Sequence, residues 1–270
     1  MSAEVIFELR DVTVPSRRDS ETATIAGVNW SARAGEFWVI GGLQGAGKSD
    51  LMFMLAGLTK PLAGSYTLLG QNMGEHFGDE FLPNRLRVGM VFDDARLLNH
   101  LTVAENVSLP ARYHHNLHAE EADAWTAALL KATDIVEFAG NTPGMIGRHW
   151  RRRAALARAL ALRPEVLFLE NPLRGLDARH TVWWISFLQR LWRGHDLLRG
   201  KPVTVVASTD EFRPWRTSGA QFATLHEQKF EVMGDVAPED DVRMARVVAA
   251  AEPSDTEELL RRGENAAPNR

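Results

Sequence analysis

Gly42, Leu43, Gln44, Gly45, Ala46, Gly47, Lys48 and Ser49 follow one another in the spacing Gly-x-x-x-x-Gly-Lys-Ser. Glycines at those places let a backbone curl until several N–H groups converge on one phosphate chain. Lys48 would reach the β- and γ-phosphates and the Ser49 hydroxyl would ligate Mg²⁺. The chemistry expected of Gly42, Gln44, Gly45, Ala46, Gly47, Lys48, Ser49 and Asp50 is therefore binding of a nucleotide such as ATP together with Mg²⁺.

Such a loop works only between a strand and a helix. The run Glu36–Ile40 reads as a buried strand, and Asp50–Ala56 reads as a helix whose N-terminal dipole favours an anion. Further strands are expected at Val5–Leu9, Thr24–Trp30, Ser65–Leu69, Arg87–Phe92, Val166–Leu169, Val203–Ala207, Gln221–Leu225 and Lys229–Met233. Between Thr102 and Leu162 the pattern turns helical, with Ala-rich stretches at Glu120–Ala132 and Ala154–Leu162. The expected organisation is an α/β domain over 1–233 with a helical subdomain at about 102–162, then a loosely ordered acidic tail over 234–270 with a short helix near Thr256–Arg262.

Composition narrows the function classes. The chain has 270 residues and a net charge of −4. Nine acids against five bases in the tail account for that charge, so residues 1–233 are neutral and nucleic-acid binding has no support. No apolar run approaches the ~18 residues of a membrane span, and no signal-peptide pattern opens the chain. Zero cysteines exclude disulfides and thiolate metal sites, which suits a cytoplasmic location.

Four further segments accompany the phosphate loop in a telling order. They are Asn99–Val107, the run Arg152–Leu160 (Arg-Arg-Ala-Ala-Leu-Ala-Arg-Ala-Leu), Leu167–Pro172 (Leu-Phe-Leu-Glu-Asn-Pro) and Gly175-Leu176-Asp177. With them the chain resembles the nucleotide-binding subunit of an ABC transporter over residues 4–233. The resemblance implies a P-loop NTPase fold with a mixed sheet, an antiparallel β portion and an inserted helical subdomain. It also implies head-to-tail pairing with a second, identical or different, ABC ATPase subunit and docking on a transmembrane permease, the only membrane contact. Within the family, the Arg152–Leu160 run is most similar to ATPases of phospholipid-trafficking and solvent-tolerance transporters.

Departures from the family pattern bear on hydrolysis. Glu170 falls where the resemblance implies the Mg²⁺-positioning aspartate, leaving Ser49 and Glu170 as metal residues. Asn171 falls at the catalytic glutamate, and an amide cannot take up a proton. Thr209 replaces the switch histidine, with a hydroxyl able to donate to a γ-phosphate oxygen. Asp93 replaces the glutamine of the glutamine loop, an anion that needs Mg²⁺ or a basic group nearby. The adenine-stacking position falls near Ser16, where no ring is present. The signature motif falls on Ile146, Gly147, Arg148, His149 and Trp150, too bulky for a close backbone approach to a facing ATP, and Asp177 keeps the D-loop.

Arg148 and Arg151–Arg153 are expected to form a solvated basic turn or to meet an acidic surface, with an arginine finger as the sharper alternative. His114, His115 and His118 are expected on a solvated surface, and Trp183, Trp184 and Trp192 in a core-facing helix. The expected function is a degenerate ATP-binding subunit that assembles, binds Mg-nucleotide and hydrolyses it poorly or not at all. The alternatives are an active ATPase with Glu170 or Asp93 as substitute base, and a soluble regulatory or scaffold protein on the same fold.

Overall fold

The computed structural model describes residues 4–74, 79–115, 118–226 and 228–235. The expected tail helix at Thr256–Arg262 lies outside the described residues, as does nearly all of 234–270. In chain order the elements are β1 (Val5–Pro15), β2 (Ala23–Arg33), β3 (Phe37–Gly42), α1 (Lys48–Leu55), β4 (Ala63–Leu68), β5 (Gln71–Asn72), α2 (Leu82–Arg85), β6 (Val88–Val91), α3 (Val103–His115), α4 (Ala119–Ala132), α5 (Arg148–Leu160), β7 (Val166–Leu169), α6 (Ala178–Arg193), β8 (Thr204–Thr209), β9 (Gln221–His226) and β10 (Lys229–Gly234).

Two sheets form the α/β frame. The larger has the order β10-β9-β3-β8-β7-β6, the smaller β2-β1-β4-β5. β3 pairs in parallel with β8 and β9, with Val39 opposite Ala207 and Phe222, while β10 closes the edge antiparallel to β9. Every residue of β3, β7 and β8 is buried, as parallel strands covered on both faces require. The smaller sheet is wholly antiparallel and stacks onto α1 through Phe7, Trp30, Leu51 and Leu55. Phe7 and Trp30 meet edge-on at 4.7 Å, and Trp30 and Trp38 at 5.3 Å, the geometry that ring quadrupoles favour.

The helices α3, α4 and α5 lie between β6 and β7 in the chain. α5 starts six residues before the expected Ala154, so Arg148, His149 and Trp150 form its first turn. Three successive arginines, Arg151–Arg153, mask its apolar face in the sequence. α6 buries Trp184, Phe187, Leu188 and Leu191 at helical spacing, the core role expected of Trp184, whereas Trp183 is half-buried and stacks on Phe187 at 5.0 Å. The phosphate-loop helix α1 follows β3, and the carboxyl ends of β6, β7 and β8 lead into Asp93, Glu170-Asn171 and Thr209-Asp210. The carboxyl ends of the parallel strands therefore carry all of them, the end at which such sheets bind ligands.

Candidate functional site

Crowding shapes the phosphate loop. A Cβ on Gly42 would stand 2.4 Å from the Leu225 carbonyl oxygen, so only glycine fits beside β9. Gly47 caps α1 with φ +92°, a conformation other residues adopt at a cost. Lys48, buried at the first helical position, donates through Nζ to the carbonyls of Gly42 (2.6 Å) and Leu43 (2.8 Å) and pairs with Asp210 Oδ1 at 2.9 Å. Gln44, Gly45, Gly47, Lys48, Ser49 and Asp50 line a cleft of about 740 Å³ that also takes in Ser16, Arg17, Arg18, Asp93, Arg96, Glu170, Asn171, Arg174 and Asp210. Ala46 packs against the core instead of lining the cleft.

The residues at the hydrolytic positions differ in what they can do. Asn171 is buried with φ +43°, a left-handed conformation asparagine tolerates better than most residues. Its backbone N–H donates to Ser208 Oγ (3.1 Å), and its side-chain oxygen has no hydrogen-bond partner. The Thr209 hydroxyl donates to the Glu211 carbonyl at 2.8 Å and accepts from the Glu211 N–H at 3.2 Å. That corrects the expectation for Thr209: its proton is already committed within the turn, and its side chain is not part of the cleft lining. Glu170 is buried and faces the cleft with the Ser49 residue. This pair of hard-oxygen donors fits Mg²⁺, which takes one or two protein oxygens and completes its shell with phosphate and water. Among the described residues no cluster of three metal-ligating side chains occurs, and the side chain of His115 lies outside them. His114 falls in the last turn of α3 and His118, exposed, precedes α4.

Asp93 has the basic neighbours its position demands. Its carboxylate pairs with Arg148 (3.1 Å), with Arg174 (3.3 Å) and with the fully buried Arg152. Arg152 also donates to the Asp93 and Arg174 carbonyls. Burial pushes the Arg152 guanidinium below its ordinary pKa, and the charge of Asp93 draws it back. Arg174 reaches Asp210 at 3.8 Å, so alternating charges run from Lys48 through Asp210, Arg174 and Asp93 to Arg148.

Of the two arms of the expectation for this basic turn, contact with acidic groups holds and solvation does not. Arg152 and Arg153 are buried, and Arg148, although mostly exposed, is engaged with Asp93 of its own chain. Arg153 pairs with Asp134 (3.0 Å), meets His180 Nδ1 (3.1 Å) and lies 3.7 Å above the Trp183 ring. Ile146 is another correction: its side chain is buried, leaving Gly147, Arg148, His149 and Trp150 as the accessible part of the turn. The His149 and His180 rings lie 4.4 Å apart, and Asp177 caps α6 by accepting the His180 N–H at 2.8 Å. His180 of α6 thus contacts both His149 and Asp177. Burial, with His180 and Arg153 adding to it, lowers the His149 pKa from its ordinary 6.5.

Sequence reasoning passed over Arg17, Arg96 and Arg174, three cations of the cleft. The signal was present for Arg17, since Ser16-Arg17-Arg18 follows the long β1 directly. Arg17 and Arg96 lie 4.6 Å and 4.9 Å from the Phe53 ring centre.

Comparison with known proteins agrees with this geometry. The family model described as ABC transporter matches residues 25–174, more than half of the chain. The spermidine/putrescine import ATP-binding protein PotA of Pseudomonas aeruginosa is 34% identical over 174 residues, 64% of this chain and 46% of that protein. The methionine import ATP-binding protein MetN of Mesorhizobium japonicum is 31% identical over 220 residues, 82% of this chain and 58% of that protein. The chain thus spans about half the length of these curated relatives. A dimeric ATP-binding cassette, MJ0796, in a post-hydrolysis state with ADP and Pi superposes with a TM-score of 0.74 at 27% identity, covering 84% of this chain and 98% of that one. The family binds ATP with Mg²⁺. This chain belongs to the ABC transporter family and carries its nucleotide-binding domain.

Proposed function

We propose that the chain is an ATP-binding subunit of an ABC transporter that binds Mg-nucleotide at Lys48, Ser49 and Glu170 and hydrolyses it poorly or not at all. The observation that carries this reading is Asn171. At the position the resemblance assigns to the general base stands a buried amide with an unpartnered oxygen. General-base assistance is worth about 10²–10⁴-fold in rate, roughly 3–5 kcal/mol of barrier. The carboxylates nearest to a replacement are engaged, Asp93 by three guanidiniums and Glu170 by Arg17.

In this reading ATP acts as a ligand that closes an interface with a second ABC ATPase, identical or different, through Gly147–Trp150 and Asp177. A permease partner would dock near Leu97–Val107, at the cytoplasmic face of a membrane. Leu98, and Leu109 just beyond that stretch, are exposed there, while the buried Asn106 fixes the loop by accepting the Leu98 N–H and donating to three carbonyls. Among the described residues no helix is long and apolar enough to cross a membrane. In the run behind the likeness to lipid-trafficking ATPases, Arg152–Leu160, every residue but the half-buried Arg158 and Ala159 is buried. These residues report helix packing, so the proposal assigns no cargo on them. The domain reading stands with it: 1–233 as the nucleotide-binding domain, with its helical part at about 102–162.

Calorimetric titration of the chain with MgATP, beside a Lys48→Ala variant, tests the binding half. Saturable binding lost in the variant supports it, and binding indifferent to Lys48 contradicts it.

A further inference from the structure

We propose that Arg17 is a built-in counter-cation of this cleft, competing with Mg²⁺ for Glu170 and loosening the metal dependence of polyphosphate binding. The inference rests on the nucleotide-binding reading and names a device within that same site.

Two carboxylates border the place a polyphosphate would occupy. Asp50 sits in the first turn of α1, where its charge takes up the favourable helix-terminal potential that a phosphate would otherwise use alone. Glu170 stands opposite, at the end of β7. Arg17 connects them: its backbone N–H and its Nε both donate to Asp50 Oδ1, at 3.0 Å and 3.2 Å, and Nη1 lies 3.5 Å from Glu170 Oε1. The guanidinium is further held 4.6 Å from the Phe53 ring centre, which Arg96 also meets at 4.9 Å. Two anchors and a ring fix a planar cation between the phosphate loop and the metal-facing carboxylate, while a third of its side chain remains open to the cleft.

A metal ion is ordinarily the largest local charge in such a site. Here Glu170 already has a cation against it, so Mg²⁺ at Glu170 is repelled by Arg17 or must displace it. When the metal is absent, the same guanidinium neutralises Asp50 and Glu170 and offers N–H donors to phosphate oxygens. Affinity for ATP therefore depends on Mg²⁺ less than Ser49 and Glu170 alone would make it.

Calorimetry of the full chain with ATP, in excess Mg²⁺ and in EDTA, gives the ratio of the two dissociation constants. Wild type is expected to show a ratio below about threefold, Arg17→Met a ratio at least about fivefold larger, and Arg17→Lys, which keeps the charge but not the planar fork, a ratio between the two. Thermal melts of both variants check their folding. A wild-type ratio above about tenfold overturns the proposal without reference to any variant. So does an unchanged ratio in Arg17→Met, or Arg17→Lys behaving like Arg17→Met. No ATP binding by wild type in either condition overturns the nucleotide-binding reading itself, and this inference with it.

Discussion

Lys48 Nζ and Asp210 Oδ1 lie 2.9 Å apart, so the cation that would meet a phosphate is already paired inside the fold. Nucleotide must replace that partner, and the loop carbonyls of Gly42 and Leu43 hold the ammonium meanwhile. Removing the competing charge should favour the ligand. Asp210→Asn is expected to tighten ATP binding by about three- to tenfold, roughly 0.7–1.4 kcal/mol. Calorimetry against wild type reads this directly, and unchanged or weaker binding would mean that Asp210 does not oppose the phosphate.

Asp93 should behave as a structural hub. Arg152 is fully buried, and loss of its carboxylate leaves an uncompensated charge in the interior. Asp93→Ala is expected to destabilise the fold by about 3 kcal/mol. Arg148→Ala removes only the exposed partner and should cost under about 1 kcal/mol. Chemical denaturation of both variants checks the contrast, and equal losses would argue that Arg152 finds another partner.

The frame was legible because β3, β7 and β8 each hold a short apolar run, Phe37–Ile40, Val166–Leu169 and Val205–Ala207, and such runs bounded by polar turns mark buried parallel strands. β7 matches its expected span, Val166–Leu169, residue for residue. The two-residue β5 carries no periodicity and is visible only through its pairing with β4. At the site, Lys48, Ser49, Glu170 and Asn171 could be brought to one cleft from their order along the chain. Their partners could not. That Asp93 collects Arg148, Arg152 and Arg174 depends on contacts spanning 55 to 81 positions. Burial of Arg152 and Arg153 runs against the ordinary fate of arginine, so the polar run at the head of α5 concealed a packed helix.

Acidification should loosen the turn around His149. Its pKa is lowered in the fold by burial, then by His180 and Arg153, with Asp177 opposing them. His195 is lowered too, by burial and Arg190 against Asp196, and its Nδ1 accepts the Leu197 N–H. The unfolded chain therefore binds these protons first, and stability is lost as pH falls below the ordinary histidine value of 6.5. The melting temperature is expected to drop between about pH 7.5 and 5.5, with a smaller drop in a His149→Gln, His195→Asn double variant. Parallel pH profiles of the two proteins would contradict the assignment.

Whether this site binds nucleotide without turning it over is decided by steady-state ATP turnover and MgATP affinity, measured on one preparation beside Lys48→Ala and repeated with a permease complex. Lys48→Ala is expected to abolish binding, while wild-type turnover stays at the background of that variant. Lys48-dependent turnover of about a few per second would contradict it and require a base other than Asn171.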